Sequence, residues 1–361
     1  KKKTPWAILS RIHHLRSFSN RRDRPGQAVT EASDHAFSTE VQAADDPGAL
    51  GQAVELLGQG QLVALPTETV YGLAADARSP GAVARIFEAK GRPAGNPLIV
   101  HVDSVEMAKR CVAAWPSAAA QLAEAFWPGP LSLVLPKADP IPDIVTAGGK
   151  TVAVRCPAHP VFRAVLAKCG FPLAAPSANR SNRVSPTRAE HVVDQLGGRI
   201  PLVLDGGACD LGIESTVLDL TGDTPTLLRP GMISLGQLQA VLGPVATAKP
   251  PAAAEPLKSP GQLQQHYSPR AKLILVEGDL DAALGQADVT AHVIARTAAP
   301  AAWPSERWHR LPDAAAGFAR ELYDTLHRCD RLGAETILVQ PLPDGDEWAA
   351  LRNRLNRAAG A

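Results

Sequence analysis

Three cations lie near short hydroxyl and amide side chains, in segments that follow predicted strands or a predicted helix. Lys90 and Arg92 are two residues apart, Asn96 follows four residues later, and Arg155 ends an apolar run. A lysine and an arginine this close to small polar groups suit an anion with several charges, such as a triphosphate. Arg155, half buried at the end of its strand, also needs an anionic partner. These residues therefore form a candidate site for anionic ligands.

Two further polar segments share a position in the predicted fold. Residues 66–72 and residues 176–181 each follow a predicted strand. In α/β sheets, ligands bind beyond the carboxyl ends of the strands. Ser177 and Asn179 in the second segment also fit an ordinary turn, so each signal is weak by itself. It is their convergence with the cations that favours a site.

Other candidates have a purely structural interpretation as well. Lys90 and Arg92 could complement the dipole at the end of their helix. Thr187 could start a capping box with Glu190. His101 lies within an apolar strand, where a histidine is more often part of the core than a ligand.

Other common chemistries leave no signature in the sequence. Residues 148–151 resemble the end of a phosphate-binding P-loop, but Ile144 occupies the position of its first glycine and a strand follows. There is no G-x-G-x-x-G after a strand, no G-x-S-x-G and no H-E-x-x-H, and the five cysteines form no C-x-x-C pair. We therefore expect no protein-bound metal, no organic cofactor and no covalent nucleophile.

Hydrophobic patterning supplies the elements that must position these side chains. Over residues 47–243, short apolar runs that are typical of strands alternate with segments whose apolar residues recur at helical spacing, as in an α/β domain. The predicted strands cover 61–66, 97–102, 131–135, 151–155, 173–175, 201–204, 216–220 and 226–228, and the predicted helices cover 48–57, 80–90, 103–125, 159–169 and 187–197.

A second α/β pattern begins after a break. Residues 246–257 are rich in alanine, proline and lysine without an apolar period, which predicts a linker. Beyond them, strands alternate with helices as in a small parallel sheet. The strands cover 272–276, 290–295 and 336–339, and the helices cover 279–286, 313–332 and 346–359. The predicted organisation is an arm (1–46), a first domain (47–243), a linker (244–271) and a second domain (272–361).

Charge is distributed unevenly along the chain. The 361 residues are 45% hydrophobic and carry a net charge of +1, which excludes a wholly disordered chain. Residues 1–25 hold eight Lys/Arg and one acid, for +7, whereas the remainder holds 29 bases and 35 acids, for −6. Bulk charge therefore does not hold the body to nucleic acid. Residues 1–46 are predicted to be a basic, disordered arm, and direct contact of the arm with tRNA stays open.

Membrane and secreted classes are disfavoured. No apolar run approaches the roughly 20 residues that a membrane span needs. The cysteines are odd in number and far apart, which favours a reducing compartment. We predict a cytoplasmic protein without membrane contact.

Taken in order, these and other strings resemble the YrdC-like family and, within it, the two-domain threonylcarbamoyl-AMP synthases. The strings cover residues 47–243 densely and continue into the linker and the second domain. They are 66–73, 90–93, 96–101, 127–131, 152–155, 175–179, 185–187, 214–217, 228–231, 259–261, 266–269, 322–323 and 352–355.

The resemblance implies an α/β fold: a twisted mixed sheet with a concave cavity, followed by a small Rossmann-like parallel α/β domain. It also implies an L-threonylcarbamoyladenylate synthase, a nucleotidyltransferase that converts L-threonine, bicarbonate and ATP into L-threonylcarbamoyl-AMP, pyrophosphate and water. Mg²⁺ would accompany the ATP. The product would pass to partner proteins that transfer the threonylcarbamoyl group to a tRNA adenosine.

The resemblance also assigns site residues, position by position. ATP would meet Lys90, Arg92, Asn96, Thr151, Asn179, Ser185, Thr187, Arg229 and Tyr267, the last as part of a lid. L-threonine would be held by Thr69, His101, Arg155, Ser177 and Ser215, with a bidentate contact from Arg155 to its carboxylate. Lys90 and Arg92 are the candidate catalytic residues, because they would neutralise the charge of the leaving pyrophosphate.

Two positions depart from the family pattern. Asn182 replaces a glycine, and we expect it to keep a left-handed turn, which asparagine tolerates better than most residues. Ala74 replaces a second glycine. We expect both changes to affect loop shape more than charge.

Two alternative functions stay open at this point. A carbamoyltransferase of the hydrogenase-maturation type would carry paired-cysteine zinc motifs and an acylphosphatase segment, which are absent here. A non-catalytic RNA-binding protein is supported by the +7 arm. The −6 body and the 16 aromatic residues, few for a base-stacking surface, weigh against it.

Overall fold

The structure is a computed structural model that describes residues 38–248, 258–259 and 267–360. The strands of the first part are β1 (Glu40–Ala43), β2 (Val63–Leu65), β3 (Gly72–Asp76), β4 (Ile99–His101), β5 (Leu131–Pro136), β6 (Thr151–Arg155), β7 (Leu173–Ala174), β8 (Leu202–Asp205), β9 (Thr216–Asp219), β10 (Thr226–Arg229) and β11 (Ala246–Thr247). Its helices are α1 (Ala49–Gly58), α2 (Pro80–Lys90), α3 (Val105–Cys111), α4 (Ser117–Phe126), α5 (Asp143–Thr146), α6 (Pro160–Cys169), α7 (Ala189–Leu196) and α8 (Leu235–Leu242).

These strands form one mixed sheet in the order β1-β8-β2-β3-β7-β4-β6-β5-β9-β10-β11. β4 and β6 run parallel with His101 opposite Arg155, while β2–β3 and β5–β6 are antiparallel. The two side chains therefore lie together at the carboxyl ends of neighbouring strands. The predicted mixed sheet is confirmed.

The second part of the chain forms a smaller sheet. Its strands are β12 (Lys272–Leu275), β13 (His292–Ala295), β14 (Trp308–Arg310) and β15 (Thr336–Val339), and its α-helices are α9 (Leu280–Leu284), α10 (Ala315–Arg331) and α11 (Ala349–Ala359). Short 3-10 helices occupy Ser305–Arg307 and Asp346–Trp348. The strand order is β12-β15-β13-β14 and every pairing is parallel, as predicted.

Helix α2 begins and ends as its sequence predicts. The Ser79 side chain accepts a hydrogen bond from the backbone of Ala82, and Pro80 occupies the first turn. Gly91 ends the helix with φ 61°, a left-handed conformation that glycine adopts without strain. The chain therefore turns sharply between Lys90 and Arg92, and the two cations leave the helix in different directions.

Two predicted domain boundaries are wrong in detail. Residues 40–43 belong to the predicted arm, yet they form β1, which pairs in parallel with β8. Residues 246–247 belong to the predicted linker, yet they form β11 against β10. Both strands are short and their fit depends on a neighbour that the local pattern does not reveal. The rest of the predicted arm, residues 1–37, and the linker residues 249–257 and 260–266 lie outside the described residues.

Two local predictions are also corrected. The capping box from Thr187 to Glu190 does not form: Arg188 is the N-cap of α7, and the Thr187 hydroxyl lies 3.5 Å from His191 Nδ1 instead. Ala74 is buried inside β3, so it does not shape a loop. β3 and β14 were not predicted, since neither stands out by apolar alternation. Asn182, in contrast, adopts the expected left-handed backbone with φ 64°.

One apolar cluster joins the two parts of the chain. Val70, Val184 and Ile213 from the first domain belong to the same buried cluster as Phe318 and Leu322 of α10. Among the described residues, none of the helices combines the length and the apolar character that crossing a bilayer requires.

Gly212 of the first domain lies against the backbone of α10. It has φ 76°, and a Cβ at this position would lie 2.4 Å from the Ala319 carbonyl oxygen and 2.5 Å from Arg320 Cα. We expect Gly212→Ala to lower the free energy of unfolding by about 2–5 kcal/mol, because it adds left-handed strain and pushes against backbone. Chemical denaturation measures this.

The matched control for that substitution is Gly333→Ala. Gly333 has a similar φ of 72°, but a Cβ there meets nothing within 4 Å. The control therefore carries the strain without the clash. Equal losses for the two variants would contradict the close approach as the main cause.

A pair of buried histidines lies where α7 meets α10. The rings of His191 and His327 stack with centroids 3.9 Å apart, and His327 Nε2 donates to the Ser185 carbonyl oxygen at 3.1 Å. Burial, followed by the neighbouring His191, lowers the pKa of His327 to about 3. The folded protein therefore holds this imidazole neutral at pH 5, where an unfolded chain protonates it.

We expect acid to destabilise the fold through this group. Between pH 3 and the ordinary histidine pKa near 6.5, the unfolded state binds more protons, so stability falls as the pH falls. His327→Phe is expected to reduce the dependence of unfolding free energy on pH by up to about 1.4 kcal/mol per pH unit. Denaturation curves between pH 7 and pH 5 measure the slope, and a variant that keeps the wild-type slope would exclude His327 as its source.

Candidate active site

A cavity opens beyond the carboxyl ends of β4 and β6, with about 510 Å³ of empty space including its mouth. The sequence pattern predicts a ligand at this edge of the sheet. Eight of the predicted site residues line it: Thr69, His101, Arg155, Ser177, Ser215, Arg92, Arg229 and Tyr267. The structure thus brings together all five residues predicted for threonine and three of the nine predicted for ATP.

Arg155 lines a polar part of the cavity together with Thr69 and His101, and this part is called the Arg155 corner. Its Nη2 lies 2.7 Å from Glu68 Oε1, its Nη1 donates to Thr69 Oγ1 at 3.0 Å, and its Nε donates to the Gly129 carbonyl oxygen at 3.2 Å. The side chain is only 4% exposed. Glu68 is the anionic partner that the sequence analysis required but did not identify. The pair holds the guanidinium rigidly at the cavity wall.

His101 is held beside Arg155 as a neutral group. Burial, and then the positive charge of Arg155, lower its pKa well below the ordinary value. Its Nδ1 is buried and has no hydrogen-bond partner among the described residues. Its ring lies 5.1 Å from that of Phe162. His101 is thus both a core residue on one side and an available hydrogen-bonding group on the other.

Ser215 lies at the start of β9 and is surrounded by donors. Arg229 Nη2 donates to its hydroxyl and Arg229 Nε to its carbonyl oxygen, both at 3.0 Å. The Ser132 hydroxyl lies 2.8 Å from the Ser215 hydroxyl. Gly231 packs against this segment so closely that a Cβ would lie 2.3 Å from the Thr216 nitrogen. The loop therefore holds Ser215 and Arg229 in one arrangement.

Arg92 adds a second arginine to the cavity wall. It donates to the carbonyl oxygens of Asn96 at 3.1 Å and Pro97 at 2.9 Å. Burial lowers its pKa to about 10, and the positive charge of Arg229 adds to that shift. A bound anion would relieve the repulsion between the two arginines.

Lys90 does not line the cavity, contrary to the prediction that it meets phosphate directly. Its ammonium is buried and donates to the carbonyl oxygens of Ser177, at 2.6 Å, and Asn179. Burial, and then Arg92, lower its pKa well below the ordinary value. Lys90 therefore ties α2 to the loop that carries Ser177.

The other predicted ATP residues do not line the cavity. Asn179 donates to the carbonyl oxygens of Arg180 and Arg183 and so shapes the loop after β7. Ser185 donates to Glu214. Thr151 starts β6 opposite Pro136, about 13 Å along the strand from Arg155. Buried Asn96 and Thr187 complete this group outside the lining.

Tyr267 reaches the cavity from the linker and lines it. It is 1% exposed and has a left-handed backbone, with φ 65°. The next residue is anchored to the first domain, because the Ser268 nitrogen donates to the Asn182 carbonyl oxygen at 2.9 Å. The left-handed turn at Asn182 thus helps to place Tyr267 at the site.

Sequence reasoning missed two acidic residues of the site. Glu68 pairs with Arg155, and Glu214 lines the cavity while it pairs with Arg354 at 2.6 Å. Both lie inside strings that carry the family resemblance, 66–73 and 214–217. Their position inside these strings was the signal that could have identified them. The role of an acid in an anion-binding site becomes clear only when its positively charged partner is known.

Comparison with known proteins agrees with this geometry. A family model described as telomere recombination matches residues 55–231, and one described as the C-terminal domain of threonylcarbamoyl-AMP synthase matches residues 233–360. The Pyrococcus abyssi threonylcarbamoyl-AMP synthase is 40% identical over 322 residues, which is 85% of this chain and 93% of the relative. The chain belongs to the threonylcarbamoyl-AMP synthase family.

Further members of the family support the same placement. The Bacillus subtilis threonylcarbamoyl-AMP synthase is 40% identical over 337 residues, which is 89% of this chain and 96% of the relative. The crystal structure of P. abyssi Sua5 complexed with L-threonine superposes with a TM-score of 0.81 at 38% identity, over 90% of this chain and 97% of that one. The family's two-domain architecture therefore spans almost all of the described chain.

Proposed function

We propose that this chain is an L-threonylcarbamoyladenylate synthase, which uses L-threonine, bicarbonate and ATP to make L-threonylcarbamoyl-AMP, pyrophosphate and water. The observation that carries the proposal is the convergence of Arg155, Thr69 and Ser215 with Arg92 and Arg229 on one cavity. Such a cavity can hold two anions against each other. The reaction class is that of a nucleotidyltransferase.

The threonine side of the cavity is the corner around Arg155. The guanidinium is positioned to bind the amino-acid carboxylate. Neutral His101 and the hydroxyls of Thr69, Ser177 and Ser215 offer hydrogen bonds to the amine and hydroxyl of threonine. Because these groups are preorganised by buried contacts, they orient the amine at little entropic cost.

Arg92, Arg229 and Tyr267 form the side of the cavity that is proposed for ATP, and this side is called the nucleotide wall. The two arginines would bind phosphate oxygens, and the tyrosine ring would cover the nucleotide. Lys90 acts indirectly in this proposal, by holding the loop that carries Ser177. Asn96, Thr151, Asn179, Ser185 and Thr187 remain proposed nucleotide residues that act from behind the wall or after a shift of its loops.

Mg²⁺ fits this cavity as a companion of ATP and not as a protein-bound ion. Glu214, which lines the cavity, is engaged by Arg354, and Glu68, which contacts a lining residue, is engaged by Arg155. The ion would therefore be held by phosphate oxygens. When bound, it would neutralise charge on the pyrophosphate.

The chemistry proceeds by two attacks. The threonine amine attacks the carbon of bicarbonate or CO₂, which gives a carbamate and, from bicarbonate, water. A carbamate oxygen then attacks the α-phosphorus of ATP, and the bond to the bridging oxygen breaks as pyrophosphate leaves. Arg92 and Arg229 stabilise the developing charge, and Tyr267 helps to exclude water, which would otherwise hydrolyse the mixed anhydride. Downstream proteins would then transfer the threonylcarbamoyl group to tRNA.

The test is threonine-dependent release of pyrophosphate. Purified protein is incubated with ATP, bicarbonate and Mg²⁺, with and without L-threonine, and the nucleotide products are separated by chromatography. We expect pyrophosphate and L-threonylcarbamoyl-AMP in equal amounts when threonine is present. Tight binding of RNA without threonine-dependent release would favour the non-catalytic alternative.

A further inference from the structure

Glu214 connects the cavity to the C-terminal domain. It lines the cavity, and its carboxylate is held from the other side by two residues of that domain. Arg354 Nε of α11 lies 2.6 Å from Oε2, and the Tyr323 hydroxyl of α10 donates to the same oxygen at 3.1 Å. The hydroxyl of Ser185, from the first domain, donates to Oε1 at 2.6 Å. Glu214 therefore receives hydrogen bonds from both domains.

The same two residues also hold Tyr267. The Arg354 guanidinium lies 5.2 Å from the centre of the Tyr267 ring, and the Tyr323 ring stacks on it at 6.0 Å with an interplanar angle of 25°. Tyr267, Tyr323 and Arg354 are each 1% exposed. The ring that lines the cavity is thus enclosed by side chains of α10 and α11.

Arg229 links this cluster to the reacting region. Tyr267 and Arg229 line the cavity together, and the Arg229 guanidinium donates to the Ser215 hydroxyl. Although burial alone would raise the pKa of Glu214, the charges of Arg354 and Arg229 hold it below its ordinary value. The carboxylate is therefore ionised at neutral pH, between one arginine of the cavity and one of the C-terminal domain.

We propose that Arg354 and Tyr323 are positioning residues through which the C-terminal domain sets the nucleotide wall of the cavity, by fixing Glu214 and the Tyr267 ring. The inference rests on the proposed function and deepens it, because it gives the C-terminal domain a part in substrate binding. A buried ion pair contributes little net stability compared with apolar residues of the same shape, but it specifies one geometry. Here the geometry specified is that of Tyr267, Glu214 and Arg229.

The decisive experiment compares ATP binding in the full chain and in variants of the two residues. Arg354→Met is expected to raise the dissociation constant for ATP in calorimetry, and the KM for ATP, on the order of tenfold. The KM for threonine should rise less than that for ATP, because among the described residues Arg354 has no hydrogen bond or ion pair with Arg155, although Glu214 is next to Ser215. Tyr323→Phe keeps the stacked ring and loses one hydrogen bond, so we expect about a threefold rise for ATP. Asn356→Ala, at an exposed position of the same helix, is the matched control and should leave both constants unchanged.

A double variant separates positioning from stability. Arg354→Met alone leaves the Glu214 charge buried without its partner, so it lowers stability as well. Glu214→Gln combined with Arg354→Met removes that unpaired charge and should recover thermal stability toward the wild type while ATP binding stays weak. Recovery of ATP affinity together with stability would overturn the proposal, as would ATP and threonine constants that rise equally in Tyr323→Phe.

The wild-type chain in the same assays keeps the two proposals apart. A wild type that neither binds ATP nor releases pyrophosphate with threonine would remove the proposed function, and the inference with it. A wild type that does both, beside variants with unchanged ATP constants, would remove the inference alone.

Discussion

Replacing Arg155 with alanine is expected to raise the KM for threonine by about a hundredfold or more, with a KM for ATP close to that of the wild type. Arg155 is the cation of the cavity corner that contains Thr69 and His101, and it is buried and held at three atoms. A carboxylate bound there loses a desolvated charged partner that no neighbouring side chain can replace. Steady-state measurements of pyrophosphate release, with each substrate varied in turn, test this.

Glu68→Gln is the matched control for that variant. Loss of Arg155 leaves the Glu68 carboxylate buried without its partner, so part of the effect could come from local rearrangement. The glutamine variant keeps the arginine and removes only the charge that holds it. We expect a smaller rise in the threonine KM than for Arg155→Ala. An equal rise in the KM values for threonine and ATP after Arg155→Ala would contradict the assignment to the carboxylate.

Replacing Arg92 with methionine is expected to lower kcat/KM for ATP by about 10²–10³-fold and to leave the fold intact. The methionine keeps the apolar part of the side chain but removes the charge that is proposed to face the ATP phosphates. The hydrogen bonds that Arg92 donates go to two carbonyl oxygens of its own loop, so the substitution should lower the free energy of unfolding only modestly. Kinetics at saturating threonine measure the effect, and circular dichroism checks the fold.

Variants of two cations of α2, Arg85 and Lys90, are compared with Arg92→Met. Arg85→Met removes an exposed cation that donates to the Gly60 carbonyl oxygen, and we expect wild-type kinetics. Lys90→Met removes a buried ammonium and leaves the carbonyl oxygens of Ser177 and Asn179 without their donor. It should lower stability by about 1–3 kcal/mol as well as activity. Lys90→Met with normal stability and a defect in ATP use alone would return Lys90 to direct phosphate contact.

The structure gathers the five residues predicted for threonine in one cavity, but only three of the nine predicted for ATP. His101 and Arg155 end strands whose apolar pattern is clear, and parallel pairing of β4 with β6 necessarily brings strand ends together. Lys90 and Arg92 sit two residues apart and look equivalent in the sequence. The left-handed turn at Gly91 separates them, so that one enters the cavity wall and the other the interior.

Local sequence patterns could not predict which residues of the C-terminal domain contact the site. Tyr323 and Arg354 lie 109 and 140 residues from Glu214 along the chain. Both were part of strings that resemble the family, yet neither spacing nor periodicity assigns them a partner. The packing of α10 and α11 against the first domain decides that contact.

By itself, the sequence determined the α/β class, the parallel second sheet, the family and most of the polar side chains of the cavity, because periodicity and short motifs are local properties of the chain. Tertiary structure alone decided which cations face the cavity, which acids pair with Arg155 and Arg354, which side chains enclose Tyr267, and where the ends of the first sheet lie. Those outcomes depend on burial and on charge pairs between distant residues. The free energy of a buried charge depends on the partner that folding places beside it.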